Sequence, residues 1–198
     1  HITASHADML VLDHAKKART VIKSELYQTL FPEIVLADDQ DTASYYRNTL
    51  GGDRLTCTVG GKSPIGFHAH WLTCDDPLDP KKAVSEVELK TAEEFMFTVL
   101  PSRKVDRAIS VTALIQQRLA HEDPTGLMLA KAKKNPQFSR VKHYCIPAKL
   151  AENIQPPELA QYYVDGLMDP KRLPLNVLDE MEATNAYAFA SQFMQNPV

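Results

Sequence analysis

Trp71-Leu72-Thr73-Cys74-Asp75-Asp76-Pro77 reads as a buried strand that stops at two acids and a proline. Its apolar, β-prone residues, taken from Ala69 to Cys74, are bounded by turn formers, which is the pattern of a short core strand. Buried strands of this kind belong to parallel sheets covered on both faces by helices.

Strands alternate with helices on both sides of this segment. Upstream, residues 1–5 read as a short strand entering a helix from about Ala7 to Leu26, with Met9, Leu10, Leu12, Ala15, Val21 and Ile22 near helical spacing. Phe31-Pro32 closes that region, and Asp38 to Thr42 reads as a polar loop. Gly51-Gly52 opens a β-rich zone in which Arg54 to Val59 alternate, and Gly60-Gly61 and Ser63-Pro64 are turn signals. Downstream, Asp79 as N-cap and Pro80 at the first helical position predict a helix to about Leu100. A strand from Ala108 to Ile115, a helix from Asp123-Pro124 to about Lys134, and a strand from Val141 to Ile146 follow.

This alternation predicts an α/β fold with a mainly parallel sheet flanked by helices. Strands near 1–5, 69–74, 108–115 and 141–146 are expected in one sheet, with Asp75 and Gln117 at the same edge. After Pro147 the prolines at 156, 157, 170 and 174 divide the chain into short helices, the last from about Leu178 to Met194. Residues 1–150 thus read as one domain and 151–198 as a helical tail.

The bulk composition agrees with a packed globular chain: 198 residues, 44% hydrophobic, with 7 glycines and no low-complexity segment. A net charge of −3 gives no overall basic footprint for nucleic acid, so such a role needs a local patch or another domain. The three cysteines, Cys57, Cys74 and Cys145, form no CxxC pair, which argues against a disulfide or zinc framework and fits a reducing cytosol. No run reaches the ~20 apolar residues that span a bilayer. The first residues have no signal-peptide pattern, and a strand-like opening without Met suggests a natural protein that begins earlier.

Asp75-Asp76 is the strongest chemical signal. Ligands of open α/β sheets bind beyond the carboxyl ends of strands. In nucleoside-triphosphate hydrolases a strand-end Asp helps hold magnesium, and a neighbouring acid orients the attacking water. A capped turn at Asp76-Pro77 is the plain alternative. Gln116, Gln117 and Arg118 follow the next strand; an amide there can sense a γ-phosphate or position water, and a solvated loop is the simpler reading. Gly60-Gly61-Lys62-Ser63 fails as a phosphate loop, because Thr56 stands where the first glycine belongs and Pro64-Ile65-Gly66 replaces the helix. Arg54 is a candidate phosphate-binding or trans-acting arginine, or else a surface strand residue. His68, His70, His121 and His143, with Asp75, Asp76 and Asp123, raise a metal reading, but no helix carries H-E-x-x-H.

Taken in order, the segments resemble the large-subunit terminases of tailed phages and prophages. The resemblance rests on Gly51-Gly52-x-Arg54, on Val59-Gly60-Gly61 through Gly66-x-His68-Ala69, and on Trp71 to Pro77. It continues through Ala83-x-Ser85-Glu86, Ser102-Arg103, and Gln117-Arg118-x-x-His121-Glu122-Asp123-x-x-Gly126-Leu127, and ends with Ile146-Pro147-Ala148 and Gln192-x-x-Gln195-Asn196-Pro197.

The resemblance implies a P-loop-NTPase-like motor, with ATP and Mg2+ as cofactors. Asp75 then matches the Walker B position that supports Mg2+ through water, and Asp76 the neighbouring acid, a place often held by Glu. Gln117 and Arg118 match the segment that couples ATP state to movement. Phe67 stands where related sequences often carry Arg, which leaves Arg54 as the alternative. Implied partners are double-stranded DNA, the portal protein and the small terminase subunit, in a homo-oligomeric ring in the bacterial host cytoplasm, without a membrane. The family's phosphate loop lies upstream of residue 1 and its nuclease follows a motif like Gln195-Asn196-Pro197, so the chain is expected to be a partial motor domain, inactive alone. A non-catalytic interaction module of the same fold and a metal-dependent phosphohydrolase are the competing readings.

Overall fold

The computed structural model describes residues 1–61, 64–135 and 140–197, in two compact units, His1–Gln116 and Gln117–Val198. Lys62 and Ser63, half of the Gly60-Gly61-Lys62-Ser63 turn, lie outside the described residues.

The first unit holds a six-stranded mixed sheet in the order β2-β3-β4-β1-β5-β6. The strands are β1 (Ile2–Ser5), β2 (Leu36–Asp41), β3 (Tyr45–Asn48), β4 (Asp53–Thr58), β5 (Trp71–Asp75) and β6 (Val111–Ile115). β1 lies between β4 and β5 and is parallel to both, and β6 is parallel to β5. β2, β3 and β4 pair antiparallel. The expected parallel block is therefore present, with an antiparallel flank.

Alternation places Ile2, Ala4, Leu72 and Cys74 on one face of the central strands, and all four are buried. Helix α1 (Asp8–Ile22) packs on β1 and β4 and buries Val11 and Ala15. The chain reverses at Lys23-Ser24, where the Ser24 hydroxyl caps α2 (Glu25–Leu30) by accepting from Tyr27 N at 3.3 Å. The single helix expected to Leu26 is thus two.

Three further expectations are corrected. Asp38 to Thr42 is no loop, because Leu36–Asp41 form β2 against β3; its acids stand on an outer strand where charge suits an edge. Asp79-Pro80 does not start a helix. The Asp79 carboxylate takes the Lys81 N–H at 2.9 Å, making a local turn, and α3 begins at Glu86 after Ser85. Glu86 and Glu88 then sit in the first turn, where the helix dipole favours acids. From Phe95 to Arg103 the helix continues as a π segment and a 3₁₀ turn, burying Phe95, Met96 and Leu100.

Val141 to Ile146 is not a strand of the sheet. In the second unit Cys145 bridges Gln155 alone, through Cys145 N to Gln155 O at 2.8 Å and Gln155 N to Cys145 O at 3.0 Å. Cys145 is thus satisfied by a local partner. This unit also holds α4 (Pro124–Lys134), α5 (Leu175–Thr184) and α6 (Ala186–Ala188), the last running into a π segment, Phe189–Phe193. Asn185 interrupts the expected 178–194 helix and caps α6 by accepting from Ala188 N. Leu167, Leu178 and Phe189 form its core. Residue 150, where the sequence changes character, lies inside this second unit.

Candidate functional site at the carboxyl edge of the sheet

β1, β4, β5 and β6 run in one direction, so Ser5, Thr58, Asp75 and Ile115 mark one edge. Asp75 is level with Ile115 in the β5–β6 ladder. Its Oδ2 lies 3.8 Å from Nδ1 of His14 on α1, with about a third of each side chain exposed, 35% for His14 and 32% for Asp75. So loose and wet a pair contributes little to stability. The carboxylate is held by the sheet and left open toward solvent.

Asp76 turns the chain. Its φ of 46° is left-handed, a conformation Asp and Asn accept more readily than most residues. Asp76 N donates to Ile115 O at 2.8 Å, and Asp76 O accepts from His6 N at 3.0 Å. The Ser5 hydroxyl donates to the same carbonyl at 3.4 Å, and His6 Nδ1 lies 2.9 Å from it. One carbonyl thereby ties the end of β1 to the end of β5. His6 and His14 were not among the histidines that the sequence brought forward. Their signal was positional: both follow the first strand, one at its turn and one two helical turns later.

Gln116 immediately follows β6. Both atoms of its side-chain amide are shut off from solvent, and among the described residues neither has a hydrogen-bond partner. An amide with an idle donor and an idle acceptor is uncommon in a folded chain and calls for a ligand, water or ion. Gln117 is exposed and opens the second unit.

Comparison with protein-family models and with curated proteins found no match for this chain. The functional reading therefore rests on the residues and their geometry.

Arg118 is engaged within its own unit. Its Nε donates to both oxygens of Asp123 at 3.0 and 2.9 Å, and one terminal nitrogen donates to the carbonyls of Ala120 and His121 at 3.3 and 3.4 Å. Asp123 is fully buried. Its carboxylate also accepts from Leu119 N at 3.0 Å and Gly126 N at 2.8 Å, so it caps α4 as expected of Asp123-Pro124. A Cβ at Gly126 would land on the His121 carbonyl oxygen, so the residue must be glycine while this turn holds. The Arg118 side chain is thus a structural clamp.

Arg54 lies at the other end of the sheet. It precedes Leu55, which pairs with Ile2, whereas Asp75 follows Cys74, which pairs with Ala4. The two levels differ by on the order of 13 Å along the strands at ~3.3 Å per residue. The structure does not bring Arg54 to Asp75 within one chain.

Among the described residues no group of three or more His, Cys, Asp or Glu side chains is placed to hold a metal ion. His68 and His70 in the first unit, and His121 and His143 in the second, do not converge on one. Burial, aided by the Arg118 charge, lowers the His143 pKa below the ordinary histidine value and favours the neutral ring. The cysteines are free thiols: burial pushes Cys57 up to about 11 and raises Cys74 further.

The donor set at the carboxyl edge fits magnesium in one respect. Mg2+ usually takes one or two carboxylates and completes its shell with water and substrate phosphates. Asp75 supplies a partly exposed carboxylate at this edge, and Asp76 is the next residue in the chain.

Proposed function

We propose that the chain is part of an ATP-hydrolysing motor of the terminase large-subunit type, which drives double-stranded viral DNA into a procapsid. The observation that carries this reading is the pair of adjacent parallel strand ends, with Asp75-Asp76 on one and the idle Gln116 amide on the other. Crevices at such ends are where α/β sheets bind ligands. P-loop-NTPase-like architecture is part of the proposal, and a mostly parallel α/β sheet supports it.

In this reading Asp75 supports a bound magnesium through water. That ion would neutralise charge on the nucleotide phosphates. Asp76 lies next to Asp75 in a rigid turn, where its carboxylate orients the attacking water. Gln116 supplies an amide past the neighbouring strand. Arg54, at the opposite end of the sheet, takes no part in this site. DNA, the portal protein and the small subunit are the partners, and the host cytoplasm is the setting. Among the described residues no helix is long and apolar enough to cross a membrane.

A second reading, a non-catalytic module of the same fold, is favoured by one specific observation: Arg118 is committed to Asp123. The two readings separate in the full-length subunit. Asp75→Asn should lower ATP turnover about 10²–10³-fold, the loss typical of removing one transition-state electrostatic partner. Asp76→Asn should preserve nucleotide affinity and lower turnover. Near-normal turnover in both variants, with unchanged circular dichroism, would leave Asp75-Asp76 as a turn and favour the second reading.

A further inference from the structure

The amino-terminal end of the sheet carries a feature that the motor reading does not use. A cleft of about 460 Å³ opens between α1, α2 and the antiparallel flank of the sheet. Val21, Ile22, Tyr27, Leu36 and Tyr46 supply its apolar wall. Arg54 lines the same cleft, and its Nε is shut off from solvent without a hydrogen-bond partner among the described residues. Among the described residues no carboxylate forms a salt bridge with Arg54. The neighbouring arginine is different, since Arg19 is paired with Asp41.

An arginine held partly out of water with no salt-bridge partner among the described residues is costly, and structures keep such groups paired. The volume and the mainly apolar lining with a few polar and charged groups, Arg54 and Asp53 among them, match a small-molecule site. The guanidinium fork fits a carboxylate through two parallel hydrogen bonds. Asp53 also lines the cleft, its carboxylate accepting from the Tyr45 hydroxyl at 3.0 Å. Its negative charge disfavours a doubly charged ligand and leaves a monoanion as the better fit.

We propose that this cleft binds a small monocarboxylate with an apolar body, its carboxylate seated on Arg54. The apolar wall takes the hydrocarbon part, and the charge sits at the polar end by Asn48, Gly52 and Arg54. The site is separate from the Asp75 edge and does not depend on nucleotide binding.

The test uses 4-phenylbutanoate and its neutral amide, 4-phenylbutanamide, titrated into the intact chain by calorimetry. The acid should bind about tenfold or more tightly than the amide, because only the acid makes charge-assisted bonds to Arg54. Arg54→Gln should abolish that difference, and Ala18→Phe, which projects into the cleft from α1, should weaken both probes. Should Arg54→Gln fail to fold, amide NMR shifts decide: acid-induced shifts centred on Val21, Leu36 and Gly52 support the site, and shifts centred elsewhere overturn it. Equal affinity for acid and amide, acid binding that survives in folded Arg54→Gln, or no acid binding up to about 10 mM would each overturn the proposal.

Discussion

Replacing Asp123 by alanine should be among the most damaging single changes in the second unit. The carboxylate is fully buried and serves Arg118 Nε and the backbone N–H groups of Leu119 and Gly126 at once. Loss of a helix N-cap alone costs ~0.5–2 kcal/mol. Stranding a buried charge by removing its partner costs ~3–5 kcal/mol. The two losses concern one carboxylate and overlap, and the Arg118 side chain keeps 16% exposure through which it can recover some water. The expected cost is therefore ~3 kcal/mol, the low end of the larger range. Two compact units make a single two-state unfolding energy unsafe, so hydrogen exchange at the α4 amides is the better assay. Protection there should fall about a hundredfold, since each ~1.4 kcal/mol is a factor of ten. Adding Arg118→Met should restore part of it, because the stranded charge is then gone. A fall of less than about threefold, or no rescue, would refute the buried-pair argument.

Gly126→Ala ordinarily gains ~1 kcal/mol in a helix; here it should instead destabilise by ~1–3 kcal/mol, measured by thermal melting, because the new Cβ meets the His121 carbonyl. Asp41 bonds to Arg19 and Lys23, which depress its pKa below the ordinary carboxylate value. The stability it contributes is present above about pH 4 and is lost as pH falls through its folded value, so the difference in urea midpoint between wild type and Asp41→Asn should shrink toward zero below about pH 4. With burial holding Cys57 near 11 and Cys74 higher, thiol-exchange reagents at pH 7.5 should react slowly with these cysteines in the native chain and fast after urea is added.

Much of the central sheet is legible in the sequence. Leu72, Thr73 and Cys74 form a strand ending at Asp75, and the apolar run before Gln116 forms its parallel neighbour. Asp123-Pro124 caps and starts a helix that ends at Lys134. These signals are local, as a cap bonds a backbone N–H three residues away and a buried strand must be apolar throughout. Asp79-Pro80 shows the limit. It carries the same dipeptide, yet its carboxylate closes a turn onto Lys81 and the helix waits for Ser85-Glu86. Val141 to Ile146 reads as a strand, but a local reading does not say which backbone will accept its hydrogen bonds, and Cys145 pairs with Gln155.

The sequence alone determined that Asp75 and Asp76 follow a buried strand, that the chain is α/β, and that Asp123 caps a helix. Each depends on the order of side chains within a few residues. Tertiary structure alone decided which distant residues meet. It set His14 beside Asp75 and locked Arg118 onto a fully buried carboxylate. It left the Gln116 amide without a partner among the described residues, and it put Arg54 at the far end of the sheet, in a mainly apolar cleft. The physical reason is that register, strand direction and helix packing are collective choices: each is settled by burying the greatest apolar area with the fewest unpaired polar groups, a sum taken over the whole fold.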